Sequence, residues 1–171
     1  QTNPINGSDA FVVKFNSAGV RQWGSYYGGG NAEFGEGVAV DALGNVFISG
    51  MTEGGNTLAS PGAHQIAFGG ASDMFMVKFN NSGVRQWATY YGGAGGEIMS
   101  DIATDPAGNV CLFGQTQSVS AIATVGSHQS FNNGDDDVFL AKFTTNGVRV
   151  WGTYYGGPDS ELSPCVTTDN A

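Results

Sequence analysis

The sequence predicts an all-β chain assembled from copies of one four-stranded antiparallel sheet, and three observations lead there. The stretch QWGSYYGG at 22–29 returns as QWATYYGG at 86–93 and as VWGTYYGG at 150–157, each time 64 residues further on. Within each copy, β-branched and aromatic residues alternate with others over strand-length runs. Short Gly-containing corners separate these runs, and no segment sustains a helical spacing. A fixed period of tens of residues marks stacked units, none of which can hide its apolar faces alone.

Taken in order, DAFVVKFN at 9–16 and GVRQWGSYY at 19–27 form a first hairpin about the turn SAG. GVAVD at 37–41 and NVFISG at 45–50 flank ALG and form a second. The next copy writes that corner DPAGN, where Pro106 suits the fixed φ of a type I turn and Gly108 the positive φ after it, as Gly44 does in the first copy. Four strands per period make one β-propeller blade, and blades stacked face to face bury the repeated Phe, Val and Trp side chains. The expected organisation is a single partial propeller over 1–171. It comprises a half blade at 1–35, blades at 36–91 and 100–155, and the first strand of a further blade at 163–171. Because propellers close with four to eight blades, this count reads as an incomplete propeller cut from a longer protein; assembly of several copies into a ring or filament is the competing reading.

The matches are dense in register. Asp9, Asp73 and Asp137 recur, as do Phe11, Phe75 and Phe139; Phe15, Phe79 and Phe143; Trp23, Trp87 and Trp151; and the three Tyr-Tyr pairs. DAFVVKFNSAGVRQWGSYYGG followed by GVAVDALGNVFISGMT closely resembles the SBBP type of β-propeller repeat, over nearly the whole chain. Where such repeats often carry an aromatic before Gln, this chain has His64 and His128. The resemblance implies a large secreted or surface protein of the kind found in Bacteroidota and other environmental bacteria, and export by type IX secretion.

Charge narrows the partners. The chain has 6 basic against 15 acidic residues, net charge -9, and every cation sits at one of two repeat positions: Lys14, Lys78 and Lys142, or Arg21, Arg85 and Arg149. No basic cluster exists to neutralise phosphates, so nucleic acid is excluded as a partner. No run of about 18 apolar residues predicts a transmembrane segment. Cys111 and Cys165 occupy different repeat positions; idle thiols or a disulfide between neighbouring blades are the two readings.

Candidate site residues fall on the loop face. Glu33, Glu97 and Glu161 follow the YYGG corner in each copy. Turned toward a central funnel they would form a carboxylate arc for a cation or a sugar hydroxyl; turned inward they would accept backbone N–H groups and fix blade to blade. The insertions at 51–72 and 115–136 differ between copies more than the strands do, as recognition loops on a rigid scaffold can. His64 and His128 share a repeat position within them, which favours a copied structural role; both are kept as binding candidates. NNGDDD at 132–137 brings Ca2+ to mind but lacks the alternating ligands, central Gly and closing Glu of an EF-hand. No metal site, cofactor or catalytic residue is expected: nothing resembles a nucleophile beside a base, and the glycine clusters lie between strands rather than before a helix. The lysines and arginines are expected to pair with repeat carboxylates or to cover aromatic faces.

The expected function is a non-enzymatic β-propeller module, extracellular or on the outer cell surface, serving as scaffold or as a protein or glycan interaction platform, with an adhesin as the parent protein. Its partners would be the rest of that protein, a surface protein, the secretion machinery or a glycan. The alternative is a carbohydrate-active enzyme or lectin whose propeller holds a polysaccharide.

Overall fold

The structure, a computed structural model, describes residues 3–5, 7–55, 57–162 and 165–169. Ten strands are present: β1 Ala10–Phe15, β2 Arg21–Tyr27, β3 Glu33–Val40, β4 Val46–Thr52, β5 Asp73–Phe79, β6 Arg85–Tyr91, β7 Glu97–Thr104, β8 Val110–Thr116, β9 Asp137–Phe143 and β10 Arg149–Tyr155. Among the described residues the strands pair antiparallel, giving a two-stranded sheet β1-β2 and two four-stranded sheets, β3-β4-β5-β6 and β7-β8-β9-β10, while an isolated parallel bridge joins Ser72 to Gly96. These are one half and two whole propeller blades, and they do not close into a ring. Each whole blade starts three residues earlier than its predicted bound, because Glu33 and Glu97 pair with Thr52 and Thr116 and so open their strands.

Each blade has two faces, and stacking hides both only where a neighbour exists. In β5, Phe75, Val77 and Phe79 point one way and Met74, Met76 and Lys78 the other, and every residue of the strand is buried. The first set packs on Ala10, Val12 and Tyr27 of the half blade. The second face, with Phe47 and Tyr91, packs on Leu112, Phe139, Phe143 and Tyr154 of the last blade. The two junctions repeat in detail. Tyr27 lies 5.3 Å from Phe75 and edge-on to Phe79, and Tyr91 lies 5.2 Å from Phe139 and edge-on to Phe143. Each such ring, once enclosed, contributes about 1.5–3 kcal/mol.

Polar contacts fix the relative placement of the blades. The Trp23 indole donates to the Asn81 carbonyl, and Trp87 to that of Thr145, so each Trp grips the hairpin turn of the following blade. Those turns need glycine: Gly83 and Gly147 have φ near +80°, and a Cβ on either would strike the gripping Trp ring. Along the first strands, Thr104 donates to the Val40 carbonyl and Thr168 to the Thr104 carbonyl. β3, β7 and the segment 165–169 therefore stand in succession, one beside the next.

Candidate functional site

The corner after β6 meets the end of the insertion: Ala71 donates to the Gly95 carbonyl and Glu97 to that of Ser72, and the last blade repeats the second bond between Glu161 and Asp136. Within this corner Glu33 and Glu97 are buried. Glu33 accepts the Gly29 N–H at 2.8 Å and the Thr52 hydroxyl at 2.9 Å. Glu97 accepts the Gly93 N–H at 3.1 Å and the hydroxyls of Thr116 and Ser118 at 2.6 and 2.5 Å. Glu161, half-buried, accepts the Gly157 N–H at 3.2 Å. The acceptor sites of Glu33 and Glu97 are thus taken by donors of their own chain, whereas Oε2 of Glu161 is buried with no hydrogen-bond partner among the described residues.

Each Glu has a companion that sequence reading did not connect with it. Asp73 and Asp137 open the third strand of the preceding blade and Asp9 immediately precedes the matching strand of the half blade, and a Cβ built on Gly28, Gly92 or Gly156 would collide with the Asp and the Glu of its corner together. The first tyrosine-following glycine of YYGG is therefore the spacer between two carboxyls. Asp73 accepts the Gly69 N–H and the Gln65 amide through Oδ2, and Asp137 accepts those of Asn133 and Gln129. In all three copies Oδ1 is buried with no hydrogen-bond partner among the described residues. An orphaned buried carboxylate oxygen is costly, and the cost falls when the acid is neutral. Burial, and then the charge of Glu97, push Asp73 up to about 6; burial also raises Glu97 and Glu33.

The two histidines sit alike on their own blades, His64 5.9 Å from the Tyr91 ring and His128 5.8 Å from that of Tyr155. They differ in what lies beyond. His64 also meets Phe143 of the next blade edge-on at 5.7 Å, and burial, then Arg149, lower its pKa. His128 meets no second ring among the described residues and is exposed. Among the described residues no group of three or more His, Cys, Asp or Glu gathers as a metal set. In the acidic stretch, Asn132 accepts the Gly134 N–H and Asp137 that of Asn133, which shapes the loop about its own backbone. Cys111, buried, and Cys165, exposed, are free thiols.

With this geometry in place, comparison with known proteins is informative. Residues 22–56 match the family model of a β-propeller repeat, SBBP. That segment is an SBBP-type β-propeller repeat. Over 91% of its length the chain is also 23% identical to an uncharacterized WD repeat-containing protein of Acanthamoeba polyphaga mimivirus, and it spans 14% of that protein. WD repeats are likewise propeller blades.

One expectation about the insertions needs correction. The insertion is less a free loop than a strap. Leu58 and Ile122, which share a repeat position, are fully enclosed between blades, and the hydroxyls of Tyr27 and Tyr91 donate to their carbonyls. Ser60 and Gln65 bond the strap to β6 at Ala88, Thr89 and Tyr90; Thr124 and Gln129 do the same on β10. The strap thereby occupies the outer edge of its sheet, which would otherwise offer unpaired backbone groups. The signal was present in the sequence, since 58–65 and 122–129 align without a gap and share small residues, Gly, His and Gln. The difference between copies concentrates in the flanks.

The cations meet their expectation in part: Lys78 covers an aromatic face and Lys142 pairs with a carboxylate. Lys14 reaches the Gly44 carbonyl and the Asn81 side chain, and Lys78 reaches the carbonyl and hydroxyl of Thr145, so both bridge to turns rather than to acids. Lys78 also lies over the Phe47 ring at 5.1 Å. Among the described residues, Lys142 alone forms an ion pair with a carboxylate, Asp105 at 2.9 Å. Although burial works to raise Asp105, hydrogen bonds from Lys142 and Asn109 bring it to about 2. Arg149 donates to the carbonyls of Ala121 and Ile122, again meeting no acid.

Proposed function

We propose that this chain is a structural and interaction module, non-catalytic, whose SBBP blades continue in further blades of the same kind within a longer extracellular or outer-surface protein. One observation carries the reading: the same repeat residue is hidden or bare according to whether a blade lies against it. Phe11 is 69% exposed where its counterparts Phe75 and Phe139 are at 0%, and Tyr155 is 63% exposed where Tyr27 and Tyr91 are at 4% and 1%. Bare apolar faces of this extent mark contact surfaces. Both carry residues that elsewhere in the chain meet another blade, so a blade is their chemical match. The single-blade identity of the strap, the Trp grip and the Lys bridge supports a scaffold made by repetition, on which adhesion or display can be built. Placement outside the cell, in an adhesin passed through type IX secretion, rests on the family resemblance.

Two measurements test this. Protease shaving of intact source cells should release peptides of this chain; release only after lysis would refute the surface location. Incubation with a polysaccharide panel should yield no new reducing ends, and sustained turnover would refute the non-catalytic reading.

A further inference from the structure

The junction between the two whole blades leaves an open cleft of about 390 Å³, beside the contacts that Trp87 and His64 make with the next blade. Its volume lies within the range of small-ligand sites. The walls are the strap of the first whole blade through Pro61, Ala63 and His64, the outer strand of that blade through Trp87, and the next blade through Asn146 of its hairpin turn and Arg149 at the start of β10. Apolar surface comes from Pro61, Ala63 and the indole. Polar groups converge from both blades. No hydrogen bond to either ring nitrogen of His64, or to the side-chain amide of Asn146, is found among the described residues, and Arg149 commits one guanidinium nitrogen to the strap carbonyls. In a chain with 15 acidic residues, the lining contains no carboxylate and one permanent cation. A wall of aromatic and aliphatic surface, amide and imidazole groups for hydroxyls, and a guanidinium for a carboxylate match one ligand class.

We infer that this cleft binds a uronic-acid unit of an acidic polysaccharide, with Asn146 and Arg149 holding the carboxylate, His64 bonding a sugar hydroxyl, and Pro61, Ala63 and the Trp87 indole lining the apolar side. The inference deepens the interaction-platform reading and rests on it only for the ligand's access in the organism. A complete cleft needs the strap of one blade and the turn of the next. Successive junctions in a longer stack would offer the site repeatedly along a polymer of repeating acidic units.

The test is titration of the purified chain with trigalacturonate, followed by calorimetry and tryptophan fluorescence, with cellotriose as the neutral control. Saturable binding of the acidic trimer and none of cellotriose is expected. Asn146→Ala, at an exposed turn position, and His64→Phe, which keeps the ring contacts, should each weaken binding about tenfold or more without altering the melting temperature. No binding of trigalacturonate overturns the inference; equal binding of cellotriose overturns the acidic class; binding indifferent to both substitutions overturns the location. Because the isolated chain is used, failure here leaves the surface-scaffold reading standing, and failure of cell shaving leaves this one standing.

Discussion

The junction between the two whole blades and the two outer faces of the stack are built from the same residue types, yet they behave as interior and surface. At the junction Phe139 and Phe143 are enclosed by Tyr91, Met74 and Ile122; at the leading face their counterparts Phe11 and Phe15 meet solvent. Residue identity therefore does not decide burial here. The neighbour does, which is the defining energetics of a repeat stack, where stability is a sum of unit and interface terms.

The sharpest way to break that comparison is to remove one ring from each setting. Phe139→Ala should cost about 3–5 kcal/mol in urea unfolding, while Phe11→Ala should change stability by less than about 0.5 kcal/mol. Similar losses at both positions would mean that the leading face is covered in solution. Next in size is the strap: Ile122→Ala should cost about 2–5 kcal/mol, and Val125→Ala, three residues on and fully exposed, nothing measurable.

A third prediction uses the carboxyl pair at the seam. Unfolded Asp loses its proton near 3.8 and folded Asp73 near 6. Between those values the folded chain holds more protons than the unfolded one, so stability should fall as pH rises through this window and then level off. The size is at most about 3 kcal/mol, the equivalent of a displacement of that extent. Asp73→Asn, whose amide can turn its N–H group toward Glu97, should flatten the fall; an unchanged slope would show that Asp73 is ionised throughout. The smallest effect belongs to the far face. Lys142→Ala should cost about 1 kcal/mol or less at neutral pH, and that difference should vanish as pH falls from near 4 toward 2, where Asp105 takes up its proton.

The strands and their faces were legible because Phe, Tyr and Trp recur at fixed offsets and alternate with period two. The openings of β3 and β7 were not: EFGE and EIMS look nothing like strands, and their pairing is fixed by Glu33 and Glu97 bonding to Thr52 and Thr116 across the sheet. Leu58 and Ile122 were hidden by polar, loop-like surroundings, although their shared repeat position was there to be read. The Asp–Glu pairs escaped notice because their members lie on different strands of different blades, brought together only by stacking around a glycine. The cleft was invisible for the same reason, since Trp87 and His64 come from one blade and Asn146 and Arg149 from the next.

The strap bears on how such a chain is made. Its bonds to the outer strand join residues 24 to 28 positions apart, and the Trp grip and Lys bridge span 58 and 67. A nascent chain leaving the ribosome can therefore seal each unit as soon as its last strand emerges, then clasp the next, with no need to wait for a distant terminus. Growth by short, local closures lets a protein of this design lengthen by duplication without having to learn a new way to fold.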